Sequence, residues 1–177
     1  MTDPQVAHTS QLSEAALAAS RALLDDAFDG DFGDEDWAHT IGGMHVLIRE
    51  GDDLIGHASV VQRMMLHGER PLRCGYVEGV GVRADRRGRG HGGTLMAACE
   101  RIVERAYDLG VLSTSEEGTR LYLSRGWRRW QGPTSVLAPE GVVPTPEEDG
   151  DVFFWQAGVP LDPTGPLTCD WRGGDVW

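Results

Sequence analysis

Apolar residues recur along the chain at two spacings, and the change from one to the other divides it. Leu12, Ala16, Ala19, Leu23 and Ala27 fall at helical intervals. They predict a helix over residues 11–28, capped by Ser10 or Ser13 and stopped at Asp29 and Gly30. A short strand is expected before it, at residues 5–9. From residue 44 the pattern changes: residues 44–50, 54–66 and 70–83 read as a meander of three strands, turned at Gly51-Asp52-Asp53 and at His67-Gly68, with apolar alternation in the third from Tyr76 on. A helix over residues 92–109, ended by Gly110, then crosses to a short strand at 111–115. Residues 116–125 read as helix, and Gly126 and Trp127 open a strand running to about residue 137. Pro139, Gly141, Pro144 and Pro146 mark a loop, residues 152–156 a strand, and 160–166 a second break before a final strand at 167–171. This order predicts an α/β (α+β) fold, a mixed and mostly antiparallel sheet flanked by helices, built as a single domain over residues 1–177.

The rest of the chain is organised around the third strand and the loop after it. Strand residues 76–83 run into Ala84, Asp85, Arg86, Arg87, Gly88, Arg89, Gly90, His91, Gly92 and Gly93, and then into a helix. Amide groups at a helix start lack intrahelical partners, and glycine lets the main chain approach an anion closely. Such a loop is suited to a diphosphate. Two patterns overlap in it. Gly88, Gly90 and Gly93 spell a dinucleotide fingerprint, but the preceding strand follows hairpins and opens no βαβ unit, and Asp108 ends a helix where a ribose contact would end a strand. Arg87, Gly90 and Gly92 spell R-x-x-G-x-G, with Arg86, Arg87 and Arg89 adding positive charge; a solvated basic turn is the plain alternative.

Composition narrows the partners. The 177 residues carry 28 acidic and 16 basic side chains, a net charge of −12, which disfavours nucleic acid and suits a cationic ligand. The carboxylates are clustered: residues 25–36, of which 29–36 read as an acidic loop that could meet a ligand or simply be solvated, 147–151, and Asp170, Asp175 and the carboxylate of Trp177. No apolar run is long enough for a membrane span, and the first residues lack the pattern of a signal peptide, so a cytoplasmic location is expected. Cys74, Cys99 and Cys169 have neither disulfide nor zinc spacing and are expected as buried thiols. Asp29, Asp31 and Gly33 depart from a calcium loop, and no metal is expected.

R-x-x-G-x-G between a strand and a helix resembles the acyl-CoA loop of the GNAT superfamily of N-acetyltransferases. The segment Leu121, Tyr122, Gly126 and Trp127 is similar to that superfamily's second signature, in which the tyrosine lies near the thioester sulfur. More specifically, Gly42-Gly43-Met44-His45, the segment Gly75 to Gly79, residues 132–139 and the ending Cys169-Asp170-Trp171-Arg172-Gly173-Gly174-Asp175-Val176-Trp177 resemble the aminoglycoside 2'-N-acetyltransferases. This likeness extends from about residue 29 to the last.

Acetyl transfer from a thioester to an amine needs a base, a donor to the developing oxyanion and an acid for the departing thiolate. Glu78 is the natural base, directly or through water. The resemblance places the oxyanion donor at the Val80 N–H, on a strand with a local bulge for which Gly79 and Gly81 are suited. It also implies that Val80, Gly81 and Val82 pair with the pantetheine arm of acetyl-CoA, and that Arg87, Gly88, Arg89, Gly90, His91, Gly92 and Gly93 hold its diphosphate. Tyr122 is the acid: a phenol near pKa 10 stays protonated where a thiol is near roughly 8.5. For the substrate the resemblance implies Asp31, Glu78, Gly79, Ser113, Glu148, Asp175 and Trp177, with Asp36 and Glu147 beside them. Glutamate at 148 is longer than the aspartate usual there. Clustered carboxylates match the several ammonium groups of an aminoglycoside. A homodimer is also implied. A covalent route through Cys74 activated by His57 is the mechanistic rival. Acetylation of another polyamine, amino sugar or protein amine, and a non-catalytic acyl-CoA or antibiotic-binding role, are the functional ones.

Overall fold

The alternating segments become strands and the helical ones helices in the computed structural model, which describes residues 3–114 and 116–177. In order these are β1 (Gln5–His8), α1 (Glu14–Ala27), α2 (Asp34–Thr40), β2 (Met44–Glu50), β3 (Asp53–His67), β4 (Arg70–Val82), α3 (His91–Ala106), β5 (Leu109–Ser113), α4 (Glu116–Arg125), β6 (Arg128–Arg129), β7 (Thr134–Ala138), β8 (Gly141–Pro144), β9 (Val152–Gln156) and β10 (Leu167–Asp170). Ser115, the last residue of the strand expected at 111–115, lies outside the described residues. The chain divides into two compact units: residues 1–61 with 77–101, and residues 62–76 with 102–177. Strands β3 and β4 and helix α3 each contribute one part to each unit.

In the first unit β1 and β2 run antiparallel, as do β2 and the first part of β3, with an irregularity between Ile48 and Arg49. Arg83 N–H donating to the Ile55 carbonyl at 3.0 Å joins the end of β4 to β3. Ile55, Ala58 and Val60 are all fully buried. One face of β3 meets α3, where a Cβ at Gly56 would lie 3.4 Å from Leu95; on the other, His57 meets Trp37 of α2. Helix α1 starts at Ser13, whose hydroxyl accepts from the Ala16 N–H. Its last turn is closed by Gly30 N–H donating to the Asp25 carbonyl at 2.8 Å.

The second unit carries the strand order β6-β9-β5-β4-β3-β10-β7-β8. Strands β4 and β5 are parallel, joined through α3, and β10 and β7 are parallel as well; the other pairs given by register are antiparallel. Its core is aromatic. Trp127, Trp130, Phe153 and Phe154 are buried, with Trp130 and Phe154 edge to face at 5.2 Å between centroids. Arg63, 4% exposed, lies over Tyr76 and donates from Nε to Asp170 at 2.8 Å, so the buried cation has its counter-charge.

Four expectations are corrected. The acidic loop at residues 29–36 ends at 33, because Asp34, Glu35 and Asp36 form the first turn of α2, where negative charge is favoured by the helix dipole. Gly110 does not end α3; it lies inside β5, where a Cβ would meet Trp127 and Val103 at 3.1 Å. The strand expected from Trp127 to residue 137 is broken into β6 and β7, since Gln131 and Gly132 donate instead to the Pro163 carbonyl at 2.9 Å. The loop marked by Gly141 and Pro144 is strand β8, paired with β7 at the sheet edge, where proline is tolerated.

Candidate active site

The glycines at the end of β4 and beyond it differ in what requires them. Gly79 adopts φ +55°. A Cβ there would lie 2.9 Å from Thr40 Cγ2 and 3.1 Å from Leu24 Cδ1, so conformation and space both require glycine. The irregular backbone expected beside Val80 is thus located. Glu78, half-buried, precedes it, and Val80 and Val82 follow on the same strand. Gly88 and Gly90 take φ +75° and +87°, yet a Cβ on either would meet nothing within 4 Å. Their need for glycine is conformational, and the space beside them is open to a ligand. Helix α3 begins immediately afterwards at His91, so Gly92 and Gly93 lie in its first turn, where amides are unpaired within the helix. A diphosphate fits this donor set.

The arginines divide their work. Arg86 donates to Glu50 at 2.8 Å and to Asp85, and Arg83 to Asp85 at 2.7 Å. The Arg86 hydrogen bond, with the charges of Arg86, His91 and Arg89, holds the Glu50 carboxyl below its ordinary value. Arg87 donates to the carbonyls of Val82 and Ala27, at 3.1 and 2.8 Å, tying the loop to the end of α1. Arg89 is exposed. Asp108, weighed as a ribose ligand, accepts instead from the Arg73 N–H at 2.8 Å, a structural use that removes the dinucleotide reading.

Of the carboxylates in the first unit, Asp31 is exposed in the connection before α2. Asp36 accepts the Gly33 N–H at 2.8 Å and caps α2. The second unit gathers more of the expected set. Ser113 at the end of β5 donates to Glu148 at 3.3 Å. Burial first, then the nearby Asp175, raises the Glu148 carboxyl above its usual range, with Glu147 and Asp151 adding to the effect. Asp175 accepts the Trp177 N–H at 3.0 Å, and the Trp177 indole donates to Thr145 at 2.9 Å. Arg172, which the sequence reading overlooked, donates to the main-chain oxygens of Asp175 and Trp177 and holds this segment folded. Its place within the ending from Cys169 to Trp177 was the available signal.

Tyr122 lies on α4, buried, with its ring 6.2 Å from Phe153 and 6.3 Å from Trp127 between centroids. Trp127 N–H donates to the Tyr122 carbonyl, fixing the helix end expected at Gly126 and Trp127. The three cysteines are buried, as expected. Both ring nitrogens of His57 are engaged, one by Gly79 and one by His45, which leaves none to activate Cys74.

The acetyltransferase (GNAT) domain model matches residues 8–130, a span that includes the strand with the left-handed glycine, the arginine and glycine loop and the helix start. The chain belongs to the GNAT acetyltransferases. It is also 50% identical to the aminoglycoside 2'-N-acetyltransferase of Mycolicibacterium fortuitum, covering 98% of this chain and 91% of that protein, and belongs to the same family. A GNAT acetyltransferase from Brucella melitensis, solved with acetyl-CoA, shares the fold at TM-score 0.60 and 15% identity, covering 93% of this chain and 94% of that one. Eis1 from Mycobacterium abscessus does so at TM-score 0.62 and 17% identity over 76% of this chain, which spans about a third, 33%, of that structure.

Proposed function

We propose that this acetyltransferase moves the acetyl group of acetyl-CoA to the 2'-amine of aminoglycosides by direct attack in a ternary complex, inactivating the antibiotic. The observation that carries this reading is the 50% identity over nearly the whole chain to an enzyme of that activity. The carboxylate group of Glu148, Asp175 and Glu147 supports it, because a polycationic sugar supplies the ammonium groups that such a group attracts.

Acetyl-CoA supplies the thioester. Glu78 accepts the proton that the amine loses, directly or through water, and the Val80 N–H donates to the carbonyl oxygen as negative charge grows there. Tyr122 gives its phenolic proton to the departing sulfur. Residues 80–82 hold the pantetheine arm, and Arg87, Arg89 and the amides of residues 88–93 the diphosphate. Asp31, Glu78, Gly79, Ser113, Glu148, Asp175 and Trp177 hold the sugars, with Asp36 and Glu147 at the margin. A homodimer and a cytoplasmic location belong to the same proposal through the family resemblance; among the described residues no helix is long and apolar enough to cross a membrane.

Release of coenzyme A with kanamycin B, which has a 2'-amine, compared with kanamycin A, which has a hydroxyl there, tests the reading. Efficient turnover of the first alone supports it. Equal turnover of both places the attack elsewhere on the sugar, and turnover of neither directs the search to other amines.

A further inference from the structure

Two buried histidines in the first unit have no place in the proposed mechanism. His57 Nδ1 lies 2.8 Å from the Gly79 carbonyl oxygen, His57 Nε2 lies 2.9 Å from His45 Nδ1, and His45 Nε2 lies 2.8 Å from the Thr9 hydroxyl. Neither ring is exposed. Because a carbonyl only accepts, His57 must carry its proton on Nδ1. Its Nε2, in a neutral ring, then accepts from His45 Nδ1–H. His45 Nε2 accepts in turn from the Thr9 hydroxyl, whose other acceptor, the Gly43 carbonyl, lies farther away at 3.2 Å and already takes the Thr9 N–H; the hydroxyl oxygen takes the Gly42 N–H at 2.9 Å. One arrangement of protons satisfies every group, and each bond in the chain points toward Gly79. Burial, the largest cause for both rings, lowers their pKa values to about 4, which keeps the pair neutral at ordinary pH.

The Gly79 carbonyl and the Val80 N–H are the two ends of one peptide unit. That unit is planar, and in its trans form the two bonds point in opposite directions, so holding the oxygen aims the N–H. Donation to the oxygen also draws electron density from the nitrogen and makes its N–H a stronger donor, an effect that adds along a hydrogen-bonded chain. We infer that Thr9, His45 and His57 form a positioning relay that aims and polarises the Val80 N–H toward the thioester oxygen. This rests on the assignment of Val80 in the proposed function. The left-handed Gly79, a conformation otherwise free to vary, is the hinge the relay holds in place.

The test is the carbonyl stretch of acetyl-CoA, labelled at the acetyl carbonyl carbon and bound to the protein, in wild type, His57→Leu and His57→Asn. Asparagine places an amide N–H close to where Nδ1–H stood. The relay predicts a band moved to lower wavenumber in wild type, lost in His57→Leu and regained in His57→Asn. It further predicts kcat lowered about tenfold in the leucine variant with the acetyl-CoA KM unchanged. A band equally shifted in wild type and His57→Leu overturns the relay while leaving Val80 as donor. A wild-type band like that of free acetyl-CoA overturns both. A shifted band without transfer to kanamycin B leaves the relay standing and removes only the substrate. Should the leucine variant not fold, nitrogen-15 shifts of the wild-type rings decide: both must show Nδ1–H, and an Nε2–H tautomer at His57 contradicts the relay.

Discussion

The two units of this chain carry unlike chemistry and reveal themselves by unlike signals. The first is organised by its backbone: Gly79, Gly88 and Gly90 all adopt positive φ, and Arg83, Arg86 and Arg87 are committed to ion pairs or to main-chain carbonyls around the loop. The second is organised by side chains, with Tyr122 among aromatic rings and Glu148 beside Ser113 and Asp175. A backbone cradle suits a cofactor whose diphosphate never changes. A set of carboxylates on separate segments suits a substrate recognised through its amines, and can vary by substitution without disturbing the cradle.

The sharpest break of this comparison is Glu78→Gln, which removes the proposed base from the first unit. We expect kcat to fall about 100-fold or more with acetyl-CoA Kd unchanged, read by steady-state rates and calorimetry. Loss of coenzyme binding instead would make Glu78 part of the cradle. Next, Tyr122→Phe leaves the aromatic packing in place and removes the hydroxyl. A fall in kcat of about tenfold is expected, again without change in coenzyme Kd; full activity would take the acid role from Tyr122.

Substitution in the carboxylate group should act on the other substrate. Glu148→Gln is expected to raise the aminoglycoside KM about tenfold while the acetyl-CoA KM stays constant. Because the Glu148 carboxyl is raised, it gains its proton at a higher pH than an ordinary glutamate. The wild-type KM should therefore climb on acidification sooner than for an ordinary carboxylate, and the glutamine variant should lose that part of the dependence.

The histidine pair bears on the fold as well as on activity. Both rings are held near pKa 4 by burial, with His8 also lowering His45 and His45 also lowering His57, against 6.5 in the unfolded chain. Between these values the unfolded chain binds more protons than the native one. The stability is therefore fully present above about pH 6.5 and is lost as pH falls through 4, on the order of 3 kcal/mol per histidine. Urea unfolding at a series of pH values should show this slope, and it should be shallower in His57→Asn.

Much of the first unit was legible because its constraints are local. A glycine that must take positive φ, a cap at Ser13 and the turn Gly51-Asp52-Asp53 before β3 are each visible within a few residues. What escaped depended on residues distant in sequence or on folding back of the chain. The acidic run at 29–36 read as a loop because nothing nearby announced that Asp36 would fold back onto Gly33. Gly110 read as a helix stop because its real reason, the ring of Trp127, is 17 positions away. The pairing of Glu148 with Ser113 joins β9's approach to the end of β5, and only the register of those strands brings the two together. His45 and His57 fall on facing strands two registers apart, His45 opposite Ser59 and His57 opposite Leu47, so their contact is likewise a property of pairing.

The most direct test of the account is the position of the acetyl group on the product from kanamycin B, which carries amines at both the 2' and 6' carbons, mapped by two-dimensional NMR of the purified conjugate. Acetylation at the 2' nitrogen alone is the predicted result; acetyl at the 6' nitrogen, or a mixture of the two, would contradict it.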